Sequence, residues 1–246
     1  MKRHAGPGRL LPATALLTVL AGTIMSGTAL AAPAARAAPA ARAAPAAPAA
    51  PAGGGAVRAL VAARQLITVT AASRGTTYAT FRGYQVTGGK PVLVLGPWTA
   101  RVGYHGIAAP GAKREGDGRT PSGRYGFSFF FGVDPSPGVH YPYRRAYRDD
   151  YWDDDPASSR YNEWVDAAAA SPGRDPEPLH NVPAYDYAAV IGYNTARTPG
   201  RGSAIFLHVG TGGATAGCVS LPRSELLKVL RWLRPGEQPQ ISISAS

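Results

Sequence analysis

One histidine and one thiol flank a glycine-rich stretch in H-V-G-T-G-G-A-T-A-G-C-V, which runs from His208 to Val219. Cys218 is the single cysteine of the 246-residue chain. A thiol is a strong nucleophile only as the thiolate, and an ordinary cysteine is on the order of 3% thiolate at neutral pH. An adjacent imidazole can take the proton. Residues 204–207, Ala-Ile-Phe-Leu, read as a buried strand that delivers His208 to its end. Gly210, Gly212, Gly213 and Gly217 then let the chain fold back tightly. In that reading Cys218 faces His208 across one turn.

The start of the chain bears on what an unpaired thiol does. Lys2, Arg3 and Arg9 form a positive region, residues 10–21 an apolar one, and Ala29-Leu30-Ala31 a small-residue cleavage site. Residues 1–31 are therefore expected to be an export signal. No cysteine near that site would carry a lipid anchor, and no apolar stretch long enough for a mature transmembrane helix follows. In an oxidising compartment a structural disulfide needs two cysteines. Cys218 is then a reactive thiol, a buried inert one, or half of an intermolecular bridge.

Residues 32–56 are an Ala/Pro/Arg tract with nothing large to bury, expected to be an extended linker. The remaining residues, 57–246, suffice for one domain with its own core. The net charge is +11, but five of those charges are Lys2, Arg3, Arg9, Arg36 and Arg42, and every acidic residue lies at Glu115 or beyond. Arginines greatly outnumber the four lysines. With the abundant alanine, glycine and proline, that bias is what a GC-rich bacterial genome would produce. A modestly basic surface suits an anionic polymer such as cell wall. Export and the lack of a basic-aromatic recognition motif argue against nucleic acid.

The elements that must position the pair are mostly strands. Runs at 66–70, 76–85, 91–95, 125–131, 187–193, 204–209 and 241–244 are β-branched or aromatic and bounded by turn residues. One helix is expected over 223–234, with Leu226, Leu230 and Leu233 on one face and Pro235-Gly236 as its stop. The fold class is thus mainly β with a few helices.

Residues 203–235 closely resemble the C-terminal part of YkuD-type L,D-transpeptidase catalytic domains. Three earlier segments extend the resemblance over about 88–246: Gly116-Asp117-Gly118-Arg119-Thr120-Pro121-Ser122-Gly123, Tyr151-Trp152-Asp153-Asp154-Asp155 with Tyr161-Asn162-Glu163-Trp164, and Ile191-Gly192-Tyr193-Asn194. The resemblance implies a β-sandwich domain without a cofactor or metal. It also implies a cysteine acyltransferase that acts, as a monomer, on peptidoglycan stem peptides in or near the cell wall. Such enzymes attack the bond between the third stem residue and the terminal D-alanine, then pass the acyl group to the amine of another stem, giving a 3→3 cross-link. Cys218 matches the family nucleophile and His208 its base. The N–H groups of Gly217 and Cys218 are the candidate oxyanion donors. Thr215, Tyr193 and Trp152 are the candidate substrate contacts.

The chain departs from the common Ser-His-Gly-Cys motif. It reads Thr215-Ala216-Gly217-Cys218 and then Ser220 where many members carry Arg or Asn, and only nine residues separate His208 from Cys218. Transfer to water instead of an amine would make it an L,D-carboxypeptidase with the same residues; a non-catalytic wall-binding domain is the reading from another class. Residues 116–123 are expected to form two turns. Asp149, Asp150, Asp153, Asp154 and Asp155 should be a solvated acidic run without the spacing of a calcium loop. Residues 125–164 form a candidate lid, although core packing is the default for Tyr141, Tyr143, Tyr147 and Trp152. His105, His140 and His180 share no metal-ligand spacing.

Overall fold

A computed structural model describes residues 63–246. The expected export signal (1–31) and linker (32–56) lie outside the described residues, as do residues 57–62.

Period-2 alternation builds the sheet. Along β1 (Gln65–Ala71), Ile67, Val69 and Ala71 are buried while Leu66, Thr68 and Thr70 are half-exposed, the signature of a strand with one face on a core. β1 runs antiparallel to β2 (Tyr78–Thr87) and parallel to β13 (Gln240–Ala245), whose Ile241 and Ile243 point the same way. β2 continues into β3 (Lys90–Arg101). On the far side of β3 come β12 (Val219–Leu221), β11 (Phe206–Val209), β10 (Ala188–Ile191), β5 (Phe127–Gly132) and β6 (Tyr143–Arg145), and β4 (Gly123–Tyr125) closes the other margin beside β13. A smaller sheet has the order β8 (Glu163–Asp166), β7 (Asp150–Asp153), β9 (Glu177–Pro178).

The large sheet cannot be flat. β4 sits at one margin and β5 near the other, yet a single residue, Gly126, joins them in sequence. The sheet must therefore curl until its margins approach, and Gly192 N–H donates to Gly126 C=O at 2.9 Å, carrying the β10–β5 ladder up to that single-residue joint. α1 (Arg223–Trp232) covers the inner face with Leu226, Val229 and Leu230. Pro222 offers no side-chain cap, and the helix ends two residues short of the expected 234, where Leu233 turns extended and its N–H reaches Val229 C=O. The mainly β class expected from sequence is the observed one.

Much of 125–164 packs into the core rather than forming a lid, although Tyr147, expected to pack there, is exposed. Phe130 and Phe131 of β5 are fully buried, Tyr141 stacks on Phe130 at 4.4 Å, and Trp152 meets Phe206 edge-on at 5.1 Å. Nor is the acidic run solvated throughout. Asp150 is buried and accepts from Tyr147 N–H and Trp164 Nε1–H. Asp153 is buried and accepts from the N–H groups of Asp155 and Gly173 and from the Ser158 hydroxyl. These carboxylates satisfy backbone and indole donors that the short strands β7 and β8 leave unpaired, so burial costs them little.

Phe206 joins β11 to the aromatic cluster, with Phe131, Trp152 and Tyr185 all within 5.6 Å, centroid to centroid. Phe206→Ala should cost about 3–5 kcal/mol of stability, read by urea unfolding. A loss below about 1 kcal/mol would show that the cluster does not hold β11 in place.

Candidate active site

His208 lies in β11, and Cys218 immediately precedes its parallel neighbour β12. Leu207 pairs with Val219, His208 with Ser220 and Val209 with Leu221. Paired residues of a sheet share a face, and so do residues two apart on one strand. Cys218, two before Ser220, therefore projects on the same face as His208. The glycine-rich stretch is not the tight turn expected from sequence. β11 and β12 run the same way, so residues 210–218 must carry the chain back to the start of the next strand. On the way Thr215 bridges to Gly103, accepting from Tyr104 N–H at 2.8 Å and donating its own N–H to Val102 C=O at 3.0 Å.

Two threonines fix the Cys218 backbone. Its carbonyl accepts the hydroxyls of Thr215 at 2.7 Å and Thr120 at 3.1 Å. Thr120 Oγ1 in turn accepts Gly103 N–H, and Thr215 Oγ1 accepts Gly217 N–H at 3.2 Å. Thr120 belongs to the 116–123 segment, which is not the two consecutive turns expected: after one turn at its start it runs extended, bridges to Ile107 at Thr120 and is the outer brace of the cysteine. The fit requires glycine at Gly103, where a Cβ would stand 2.3 Å from Gly118 C=O. Of the two expected oxyanion donors, the Gly217 amide is thus engaged, whereas the Cys218 amide has no partner among the described residues.

The thiol is buried. Sγ accepts Phe206 N–H at 3.3 Å and donates to Ala204 C=O at 3.2 Å. Burial pushes the Cys218 thiol up to about 12, against the pull of the Phe206 amide. Burial likewise lowers His208 to about 4, opposed by the carbonyls of Val209 and Ala184. The resting pair is therefore a neutral thiol and a neutral imidazole. His208 Nδ1 lies 2.8 Å from Val209 C=O, which can only accept, so Nδ1 carries the proton and Nε2 the lone pair.

Cys218, His208, Thr215 and Gly217 line one cavity of about 320 Å³. Of the other sequence candidates, Trp152 and Tyr193 do not reach it. They line a neighbouring cavity of about 680 Å³. Alternation along β7 turns Trp152 into the aromatic cluster, and its Nε1–H is taken by Asn162.

The cysteine cavity and its rim gather further residues that were not among the sequence candidates for the site. Tyr185 stands edge-on to His208 at 5.4 Å and donates to Glu177 at 3.0 Å. Burial, with repulsion from Glu115 and Glu177, raises Asp154 to about 7. Glu115 accepts from Tyr161 and Ser203. Lys113 is buried, and its Nζ donates to Asp117 at 2.6 Å and to Arg114 C=O at 2.8 Å. Burial works against charge on Asp117, but Lys113 and the amides of Arg114 and Arg119 hold its carboxyl below the usual range. These residues come from segments far apart in sequence; Asp117, Asp154, Tyr161 and Ser203 fall within the motif segments, whereas Lys113, Glu115, Glu177 and Tyr185 carry no local pattern that announces the site.

Because the folded imidazole titrates near 4 and the unfolded one near 6.5, the unfolded chain binds more protons between those values. Neutral His208 then contributes on the order of 3 kcal/mol above pH 6.5, lost as pH falls toward 4. The difference in unfolding free energy between wild type and His208→Gln should shrink by that amount across this window. A difference independent of pH would show that His208 titrates normally.

The model of the YkuD family, described as the L,D-transpeptidase catalytic domain, matches residues 64–241. The match begins earlier than the motif resemblance, taking in β1 and β2. Neither the curated proteins nor the solved structures compared with the chain give a match. A family match over most of the chain, on a curled β domain with Cys218 and His208 facing one cavity, shows that the chain belongs to the YkuD family of L,D-transpeptidase catalytic domains.

Proposed function

We propose that the chain is an exported, cell-wall-associated cysteine acyltransferase that joins peptidoglycan stem peptides by 3→3 cross-links. The observation that carries this reading is the shared face of Cys218 and His208 over one cavity, in a chain of the L,D-transpeptidase family. The export-signal features of residues 1–31 support the compartment.

The neutral pair favours general-base chemistry over a preformed thiolate–imidazolium pair. Cys218 Sγ–H leaves Ala204 C=O and turns toward the scissile carbonyl of a tetrapeptide stem. As the S–C bond forms, His208 Nε2 takes the thiol proton. Negative charge moves to the carbonyl oxygen, for which the Cys218 N–H, unpartnered among the described residues, is the available donor. Collapse breaks the C–N bond, and the imidazolium returns the proton to the departing D-alanine nitrogen. The thioester is then attacked by the side-chain amine of a second stem, with His208 again taking a proton and giving it back to the leaving thiolate. Glu115, Asp154 and Glu177 on the cavity wall suit an amine acceptor more than water, since they can attract it as the ammonium and take the proton it must lose before it attacks.

Incubation with purified tetrapeptide muropeptides, followed by mass spectrometry, tests this reading. Wild type should release D-alanine and form 3→3 dimers, Cys218→Ala should form neither, and His208→Gln should be slower by a factor on the order of 100. Tripeptides without dimers would assign the L,D-carboxypeptidase reaction instead. Absence of any product from folded protein would leave wall binding without catalysis.

A further inference from the structure

Cys218 works in a cavity whose charge balance is unusual for an enzyme that must admit an anionic group. Three carboxylates, Glu115, Asp154 and Glu177, line the wall, and Lys113 is the one lysine or arginine among the described residues that line it. A peptide ending in a free carboxylate would be repelled there without a cation beside the scissile bond.

Lys113 has the required place. Its side chain is 6% exposed, so the ammonium is fixed rather than sweeping through solvent. Nζ lies 3.7 Å from the point where a Cβ on Gly217 would stand, directly beside the residue preceding the nucleophile. The Lys113 stem packs on Gly202, where an added Cβ would meet its Cε at 3.0 Å. An ammonium has three donors. Two are used by Asp117 Oδ1 and Arg114 C=O, which leaves one.

The ion pair does not consume the cation. Asp117 also accepts the N–H groups of Arg114 at 2.8 Å and Arg119 at 2.9 Å. Its charge is shared among three donors, so it orients Lys113 without fully neutralising it. In the substrate, the terminal carboxylate carbon sits roughly 3–4 Å from the attacked carbonyl carbon, three bonds away. A group bound at Sγ therefore presents its carboxylate within reach of a cation beside Gly217. Ser220, which also lines the cavity, offers no charge of its own.

We propose that the third N–H of Lys113 binds the free carboxylate of the terminal residue that Cys218 cleaves off, making Lys113 a specificity-determining contact for donor peptides. This rests on the acyl-transfer reading above. Asp117 is the residue that positions Lys113.

The test compares two tetrapeptide stems, one ending in a free carboxylate and one in a carboxamide, by kcat/KM for release of the terminal residue. Wild type should prefer the free acid by roughly 10- to 100-fold, the range of a charge-assisted hydrogen bond. In Lys113→Met the preference should vanish, and in Lys113→Arg most of it should remain. Because removing one partner of a buried ion pair can unfold a protein, Lys113→Met combined with Asp117→Asn serves as a second variant. Equal wild-type rates on the two stems would overturn the proposal without any variant. So would an equal loss on both stems in Lys113→Met, since that describes a strut or an aid to the oxyanion. If wild type cleaves neither stem, the acyl-transfer reading fails first, which is a distinct result.

Discussion

Parallel pairing of β11 with β12 constrains everything around it. Two parallel neighbours cannot be joined by a hairpin, so the chain between His208 and Cys218 must leave the sheet and return. The return path crosses the end of β3, where Thr215 bridges to Gly103. The register then decides the chemistry, since His208 opposite Ser220 leaves Cys218 on the same face as the imidazole. A slip of one residue would turn the thiol to the opposite face. The two threonine hydroxyls on the Cys218 carbonyl and the Phe206 amide on its sulfur hold the register where it matters.

Burial gives this pair its character. A cysteine beside a charged histidine in an open cleft would rest as a thiolate. Here both groups are almost completely covered, and each is driven to its neutral form. In the proposed reaction, reactivity is then withheld until an electrophile comes within reach of sulfur and base together. Such an arrangement protects the thiol, because oxidation follows thiolate character and exposure.

Much of this was legible in the sequence. The alternation of β1 and β13 and the apolar face of α1 are local patterns, and each appears within a few residues of its expected position. Cys218 and His208 stood out because a single cysteine beside a glycine-rich run has few structural uses. The short strands β6, β7, β8 and β9 were not legible, since two to four residues carry no measurable period. Asp150 and Asp153 looked solvated because charge predicts exposure until backbone donors are brought to it by tertiary contacts. The contact of Thr120 with Cys218, and the places of Lys113 and Tyr185, were invisible for a related reason. They join the site through pairings such as Ile107 with Thr120, which span turns and sheet neighbours rather than neighbouring residues.

The central claim is that resting Cys218 is a thiol and that His208 acts only as the attack proceeds. Thiolate ultraviolet absorbance, followed as a function of pH in wild type with Cys218→Ala as the blank, tests it directly. We expect no thiolate at neutral pH and its appearance only in strongly alkaline solution, with His208→Gln giving the same curve despite its loss of turnover. A thiolate signal at neutral pH that disappears in His208→Gln would contradict the neutral pair and establish a preformed ion pair instead.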